Sequence, residues 1–201
     1  MKTGVSPVPM KDRILEAADR LFYGQGIQAV GVDAVANEAG ISKRTLYKHY
    51  PSKDELVAAY LSRRTGQAIT AEGTPVQQIL GLFDGLEKWF GNQRFRGCAF
   101  VNAVAELSGE RQHPAVAVAS GHKARRLAQV VELLRELAVD GPERLAEQIV
   151  VLFEGAVAVS MVRGGDPQVA VSAREAATVL LRNAGVAVDR EPDRDGRDLA
   201  R

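Results

Sequence analysis

Apolar residues along this chain recur at intervals of three and four, and nowhere does the alternation of a half-buried strand persist. That period selects helix. Gly, Pro or a capping residue separates the periodic segments, so the chain reads as all-α with about nine helices. Ile14, Leu15, Ala18, Leu21 and Phe22 share one face of a first helix that is expected to stop at Gly24. Val32, Val35, Ala36 and Ala39 do the same for a short second helix ended by Gly40. Ser42 is placed to cap a third helix that carries Leu46 and Tyr50 and stops at Pro51. Ser52 and Glu55 form a capping box for a fourth, with Leu56, Val57, Tyr60 and Leu61 inward. Further helices are predicted after Thr74-Pro75 and over 98–107, 114–138, 142–163 and 167–184.

The 201 residues, 21.6 kDa, suit a small head joined to a larger body. With 46% hydrophobic and 25% charged residues the composition is that of a soluble globular protein, which excludes collagen, wholesale disorder and a membrane bundle. A single cysteine, Cys98, excludes an internal disulfide and a thiolate zinc cluster. Residues 1–10 hold no apolar run of signal-peptide length and read as a flexible arm. The most apolar stretch, 149–162, contains Glu154 and is shorter than the roughly 20 residues of a bilayer span, so a buried helix and a cytoplasmic location are expected. Residues 187–201 alternate acids and arginines and read as a disordered tail. The run Gly24-Gln25-Gly26-Ile27-Gln28-Ala29 superficially matches a dinucleotide fingerprint, but it follows a helix rather than a strand and is rejected. No nucleophile and base stand at a catalytic spacing, and neither an enzyme, a cofactor nor a resident metal is expected.

Overall charge is balanced at +1, yet its distribution is not. From Ser42 to Lys53 lie Lys43, Arg44, Lys48, His49 and Lys53, with no acid among them. On a helical wheel Leu46 and Tyr50 turn inward, which puts Arg44, Thr45 and Lys48 outward and Lys43, Tyr47 and His49 on the flanks. An α-helix fits the major groove of DNA, and its N-terminal residues reach base edges while the preceding helix packs across it. A short amphipathic helix, a Gly-containing turn and a basic helix therefore read as a DNA-binding helix-turn-helix rather than an ordinary solvated face.

The run Gly40-Ile41-Ser42-Lys43-Arg44-Thr45-Leu46-Tyr47-Lys48-His49-Tyr50-Pro51-Ser52-Lys53-Asp54-Glu55-Leu56 resembles the signature of TetR-family transcriptional regulators, and the similarity extends over about residues 11–61. The resemblance implies a homodimeric repressor in which a small-molecule effector weakens operator binding. It implies a helix-turn-helix domain at 11–56 and a helical effector-binding and dimerisation body at 57–186. By the same resemblance Lys43, Arg44 and Thr45 read bases with Lys48 close by, while Ser42, Tyr47, His49 and Lys53 hold phosphates of double-stranded DNA. One departure is Val30-Gly31 before the second helix, where the family usually has Ser or Thr: Gly can cap but has no hydroxyl to offer a phosphate.

In the body, Asn102 and Glu106 share a face of the sixth helix beside Phe100, His122 lies on the seventh helix and Glu154 inside the apolar eighth. Two readings stand open. The four polar groups converge on one effector cavity, or hold a cation through Glu, His and Glu; alternatively Asn102 and Glu106 cap or pair at the surface, Glu154 meets Arg125 or Arg126, and His122 is exposed. Cys98, with Arg96 its nearest basic neighbour in the chain, reads as a small core residue, and His113 before Pro114 as a helix-entry residue. The eighth helix is apolar nearly all round and the ninth adds Ala173, Ala176, Ala177, Leu180 and Leu181, so a second copy of the chain is expected to cover them. The rival to a regulator is an all-helical carrier or enzyme with a degenerate head.

Overall fold

The head is held by apolar faces too short to form stable helices alone, since isolated helices below about 12–15 residues are marginal in water. The computed structural model describes residues 9–65, 73–109 and 112–188; of the arm expected at 1–10 and the tail expected at 187–201, residues 1–8 and 189–201 fall outside them. Helix α1 spans Met10–Gln25, α2 Val32–Glu38, α3 Lys43–His49 and α4 Lys53–Thr65. Ile14, Ala17, Ala18 and Phe22 of α1 close over Val35 and Ala36 of α2 and Leu46 of α3, with Leu15 and Leu21 at the margin. Met10 belongs to α1, not to an arm, and α1 runs past Gly24 to Gln25. Gly is tolerated inside a helix at a cost of about 1 kcal/mol, and the chain turns only where Gly26 adopts φ 94°.

The turn between α2 and α3 is a Schellman motif. The Ile41 N–H donates to the Ala36 carbonyl at 3.0 Å and the Gly40 N–H to that of Asn37 at 3.0 Å, with Gly40 at φ 65°. The Ala39 carbonyl accepts instead from the Arg13 guanidinium at 2.7 Å. Any Cβ at residue 40 would strain this turn, which sets the angle at which α3 leaves the head.

The apolar core of the head does not stop at residue 56: Leu56, Val57, Tyr60 and Leu61 of α4 join it to Phe100 and Ala103 of α6, Ala99–Glu106, and to Ala115 and Ala119 of α7, Pro114–Glu136. A second core lies among α5, Pro75–Phe90, the far half of α7, α8, Pro142–Val162, and α9, Gln168–Asn183. Nine helices and no strand occur among the described residues, a helix-turn-helix head on a larger helical body. Thr74 and Gln77 make a reciprocal capping box ahead of α5. Arg174 Nε lies 2.9 Å from Asp84 Oδ1, which ties α9 to α5.

Helix α8 has the length and hydropathy of a membrane span, so the expectation that this segment is too short to cross a bilayer is corrected. The predicted stretch began at residue 149, whereas the helix starts at Pro142. Its packing gives it another role: Leu145, Ala146, Ile149, Phe153, Ala156 and Val157 are buried in the body.

Polar ties join head and body beside the shared core. The Tyr23 hydroxyl donates to the Gly97 carbonyl at 3.0 Å and accepts from the Arg96 N–H at 2.9 Å. His113, 7% exposed, caps α7 by accepting the Ala115 N–H at Nδ1, and its Nε2 lies 3.4 Å from Asp54 at the start of α4. Because Nδ1 accepts, a neutral ring carries its proton on Nε2, facing that carboxylate. Tyr23→Phe removes both hydroxyl bonds and is expected to cost about 1–2 kcal/mol, read as a fall of several degrees in Tm by circular dichroism with the helical signal unchanged.

Candidate nucleic-acid interface and ligand cavity

On α3 the wheel is realised from a single anchor. Leu46 is fully buried and Tyr50 nearly so, and burying one such side chain is worth about 1.5–3 kcal/mol. Arg44, Tyr47 and Lys48 are exposed in consequence, as are Ser42 and Lys43, while Thr45, His49 and Lys53 are half-buried. Ser42 Oγ accepts the Thr45 N–H at 3.1 Å and lies 2.9 Å from Thr45 Oγ1, so the cap of α3 also orients Thr45. Thr45 is half-buried where the wheel alone places it outward.

Lys43 is engaged by Asp33 of α2 at 2.9 Å; that hydrogen bond and the carboxylate charge raise its pKa above the ordinary lysine value. Gly31 caps α2 with backbone alone, as the missing hydroxyl implies. Ser52 Oγ accepts the Glu55 N–H at 3.1 Å and starts α4 directly after the basic helix. One exposed cationic face therefore stands on a buried seat.

The body holds a cavity of about 410 Å³ at the foot of α4, lined by α4, α5, α6, α7 and α8 and open on one side. Trp89, Phe100 and Phe153 supply aromatic wall, and Arg64, His122, Arg126 and Glu154 supply polar groups. A groove of about 460 Å³ between α5 and α7 has no aromatic wall, and its Arg125, Ala128, Gln129 and Glu132 are exposed. The smaller cavity is the better binding site, since apolar walls with a few convergent polar groups both desolvate and orient a ligand.

Of the five residues expected at an effector site, Phe100, His122 and Glu154 line this cavity and Asn102 and Glu106 do not. Convergence of all four polar groups is thus corrected, and with it a cation site of Glu, His and Glu. Among the described residues no group of His, Cys, Asp and Glu is placed to hold a metal. Glu106 faces the head, where its Oε2 accepts the Gln28 N–H at 2.8 Å and its carbonyl the Gln28 side-chain amide at 3.3 Å. Asn102 donates to the Arg96 carbonyl at 2.8 Å. Four residues of separation aligned the pair correctly on α6, but the face they share meets the end of α1 rather than α8.

Glu154 accepts from Lys123 Nζ at 2.6 Å and from Arg126 at 3.4 Å, so the ion-pair reading names one partner correctly and misses the shorter one. His122 is not exposed: it stacks on Phe100 with ring centroids 3.9 Å apart. Burial, then the charges of Arg126, Lys123 and Arg125, push its pKa down to about 4. Cys98 is half-buried and its Sγ accepts from Lys123 Nζ at 3.3 Å, a basic neighbour that sequence distance hid. Arg64 and Trp89 were not foreseen in the cavity. Arg64 in the last turn of α4 has the ordinary look of a cation at a helix C-terminus. The available signal was the spacing of His122 and Arg126, four apart on one face of α7.

A ring whose folded pKa lies below its unfolded value costs stability only where the unfolded chain takes up the proton first. His122 therefore contributes nothing to the pH dependence above about 6.5, destabilises the fold progressively as pH falls toward about 4, and levels off below that. His122→Phe is expected to flatten the difference in urea midpoint between pH 7 and pH 4.5; a slope equal to that of the unsubstituted chain would exclude a neutral His122.

The family model for bacterial regulatory proteins of the tetR family matches residues 14–60. A tetR-type transcriptional regulator of Streptomyces avermitilis has a crystal structure that superposes with a TM-score of 0.79 at 31% identity, covering 90% of this chain and 100% of that one. A helix-turn-helix transcriptional regulator of Mycobacterium tuberculosis is 43% identical over 54 residues, 27% of this chain, and the match spans 27% of that relative's own length. The transcriptional repressor KstR of Mycolicibacterium smegmatis is 32% identical over 114 residues, 51% of this chain and 56% of that protein. With the head, the body and their connection all shared over the full length of a solved relative, this chain belongs to the TetR family of transcriptional regulators.

Proposed function

We propose that the protein is a homodimeric repressor that grips a palindromic operator through α3 and lets go when a small molecule enters the cavity at the foot of α4. The observation that carries this reading is the exposed face of Arg44, Tyr47 and Lys48, held outward by buried Leu46 and Tyr50. In this reading Arg44 and Thr45, with Lys43, meet base edges, and Lys48 lies close to them. Ser42, Tyr47, His49 and Lys53 hold phosphates. The pair Lys43–Asp33 is exposed, so a phosphate or base edge can replace the carboxylate at little cost. Repression, rather than activation, is supported by two named repressors among the relatives, beside one named activator. A protein with this task works where the DNA is, in the cytoplasm.

Homodimerisation is supported by an apolar face that the single chain leaves open on α8. Val151, Gly155, Ala158, Val159 and Val162 follow one another at helical spacing and are all exposed, Val162 by 84%, with Val179 of α9 exposed as well. Small residues at 155 and 158 permit close helix approach, and a twofold partner there would set two α3 helices for half-sites about 34–36 Å apart or a multiple of that spacing.

Release by an effector requires that the ligand bind the DNA-incompatible head position more tightly than the DNA-bound one. Helix α4 is the lever in this reading: it starts at the recognition helix, ends at the cavity and packs along α7.

Titrating the protein with a fragment of its own promoter over a salt series tests the first part. Arg44→Ala is expected to weaken binding by about tenfold or more, as for loss of a base contact worth 1–3 kcal/mol, and Lys48→Ala to shallow the log–log salt slope by about one. Binding that ignores salt and both substitutions would remove the DNA-reading role of α3. For the dimer, Val162→Glu places a charge on the open face without touching the fold of the single chain. Sedimentation velocity is then expected to show a species near 21.6 kDa in place of one twice that mass.

A further inference from the structure

The ion pairs around the cavity do not balance. Arg64 and Arg126 line it, and Lys123 reaches Glu154 in its wall. Against these three cations stand two carboxylates, Glu154 and Asp19. Neutral His122, stacked on Phe100, adds no charge at ordinary pH. Glu154 gives its short contact to Lys123, which leaves Arg126 with the long one, 3.4 Å, although the Arg126 side chain is only 15% exposed. Its guanidinium carbon rests 4.2 Å from the centre of the Phe153 ring, so it lies over an aromatic wall. A desolvated guanidinium with one distant carboxylate is a strong acceptor site for an anion.

Arg64 adds the link to the head. At the end of α4 its Nε and Nη2 hold the two oxygens of Asp19 on α1 at 2.5 and 2.9 Å, and its guanidinium carbon stands 4.3 Å from the Tyr23 ring centre. One residue therefore faces the cavity and clamps the first helix of the DNA-binding head at the same time.

We propose that the cavity takes a small organic anion with a planar apolar body, whose carboxylate or sulfonate sits on Arg126 and draws Arg64 away from Asp19, so that occupancy undoes the clamp between α4 and α1. The inference rests on the cavity being the effector site of a DNA-binding regulator. The apolar body lies among Trp89, Phe100 and Phe153, and the anionic end supplies the counter-charge that the cavity lacks. A cation would add to an existing excess, and a neutral ligand would leave it uncorrected.

The test uses the full chain with two fluorescent probes of one scaffold, 8-anilinonaphthalene-1-sulfonate and its uncharged counterpart N-phenyl-1-naphthylamine. The sulfonate is expected to bind once per chain and about tenfold or more tighter than the neutral probe, the effect of one charge-assisted contact. Arg126→Met is expected to erase that gap by weakening the sulfonate alone. Asp19→Asn, which removes the competitor for Arg64, should tighten the sulfonate and leave the neutral probe unchanged. The sulfonate should also weaken binding to the promoter fragment, and Arg64→Met should abolish that shift.

Equal affinity for the two probes in the unsubstituted chain overturns the proposal without any variant having to fold. So does an Asp19→Asn protein that binds the sulfonate no better, or an Arg64→Met protein whose DNA affinity still responds. A chain that binds its promoter but treats the probes alike loses the anion inference and keeps the regulator reading; a chain that binds no DNA loses that reading whatever the probes do.

Discussion

The apolar face of α4 is the constraint on which the rest of the molecule depends. Leu56, Val57, Tyr60 and Leu61 are buried at once against the head and against α6 and α7, so the helix that follows α3 cannot move without disturbing the body. Close-packed interiors do not deform continuously; a shift at one end of such a helix must be accommodated by discrete repacking at the other. The shared core makes the head an extension of the body, and the ties of Tyr23 to the α5–α6 loop and of His113 to Asp54 run alongside it.

Electrostatics divides the labour between surface and interior. A chain with a net charge of +1 still presents a cationic α3, because no acid lies between Ser42 and Lys53; of its cations Lys43 is paired with Asp33 of α2. Exposed pairs such as Lys43–Asp33 are weak in water. The pairs near the cavity are different in kind. Desolvation around Arg126 and His122 makes the missing counter-charge costly, and it keeps His122 neutral where an exposed imidazole would begin to titrate.

The head was readable from the chain because its signals are local. A cap at Ser42, an inward Leu46, a helix stop at Pro51 and a run of bases without an acid all lie within one short window, and backbone stereochemistry turns each into geometry without help from distant residues. Errors there were small: α1 passes Gly24 because a glycine may sit in a helix, and Thr45 is half-buried rather than fully outward. Helix count and order in the body were legible for the same reason. The cavity was legible only in part. Asn102 and Glu106 were placed on one face of α6, which is a property of the helix, but on the wrong side of the molecule, which is a property of how α6 packs on α7 and α1.

The amino-acid order by itself determined the all-helical class, the limits of most helices, the cationic face of α3 and the membership of a regulator family, since each follows from contacts within a few residues of one another. Tertiary packing alone decided which charges meet. Arg64 faces Asp19 across 45 positions and Lys123 faces Glu154 across 31. No periodicity encodes those pairings, because the crossing of two helices depends on every side chain between them.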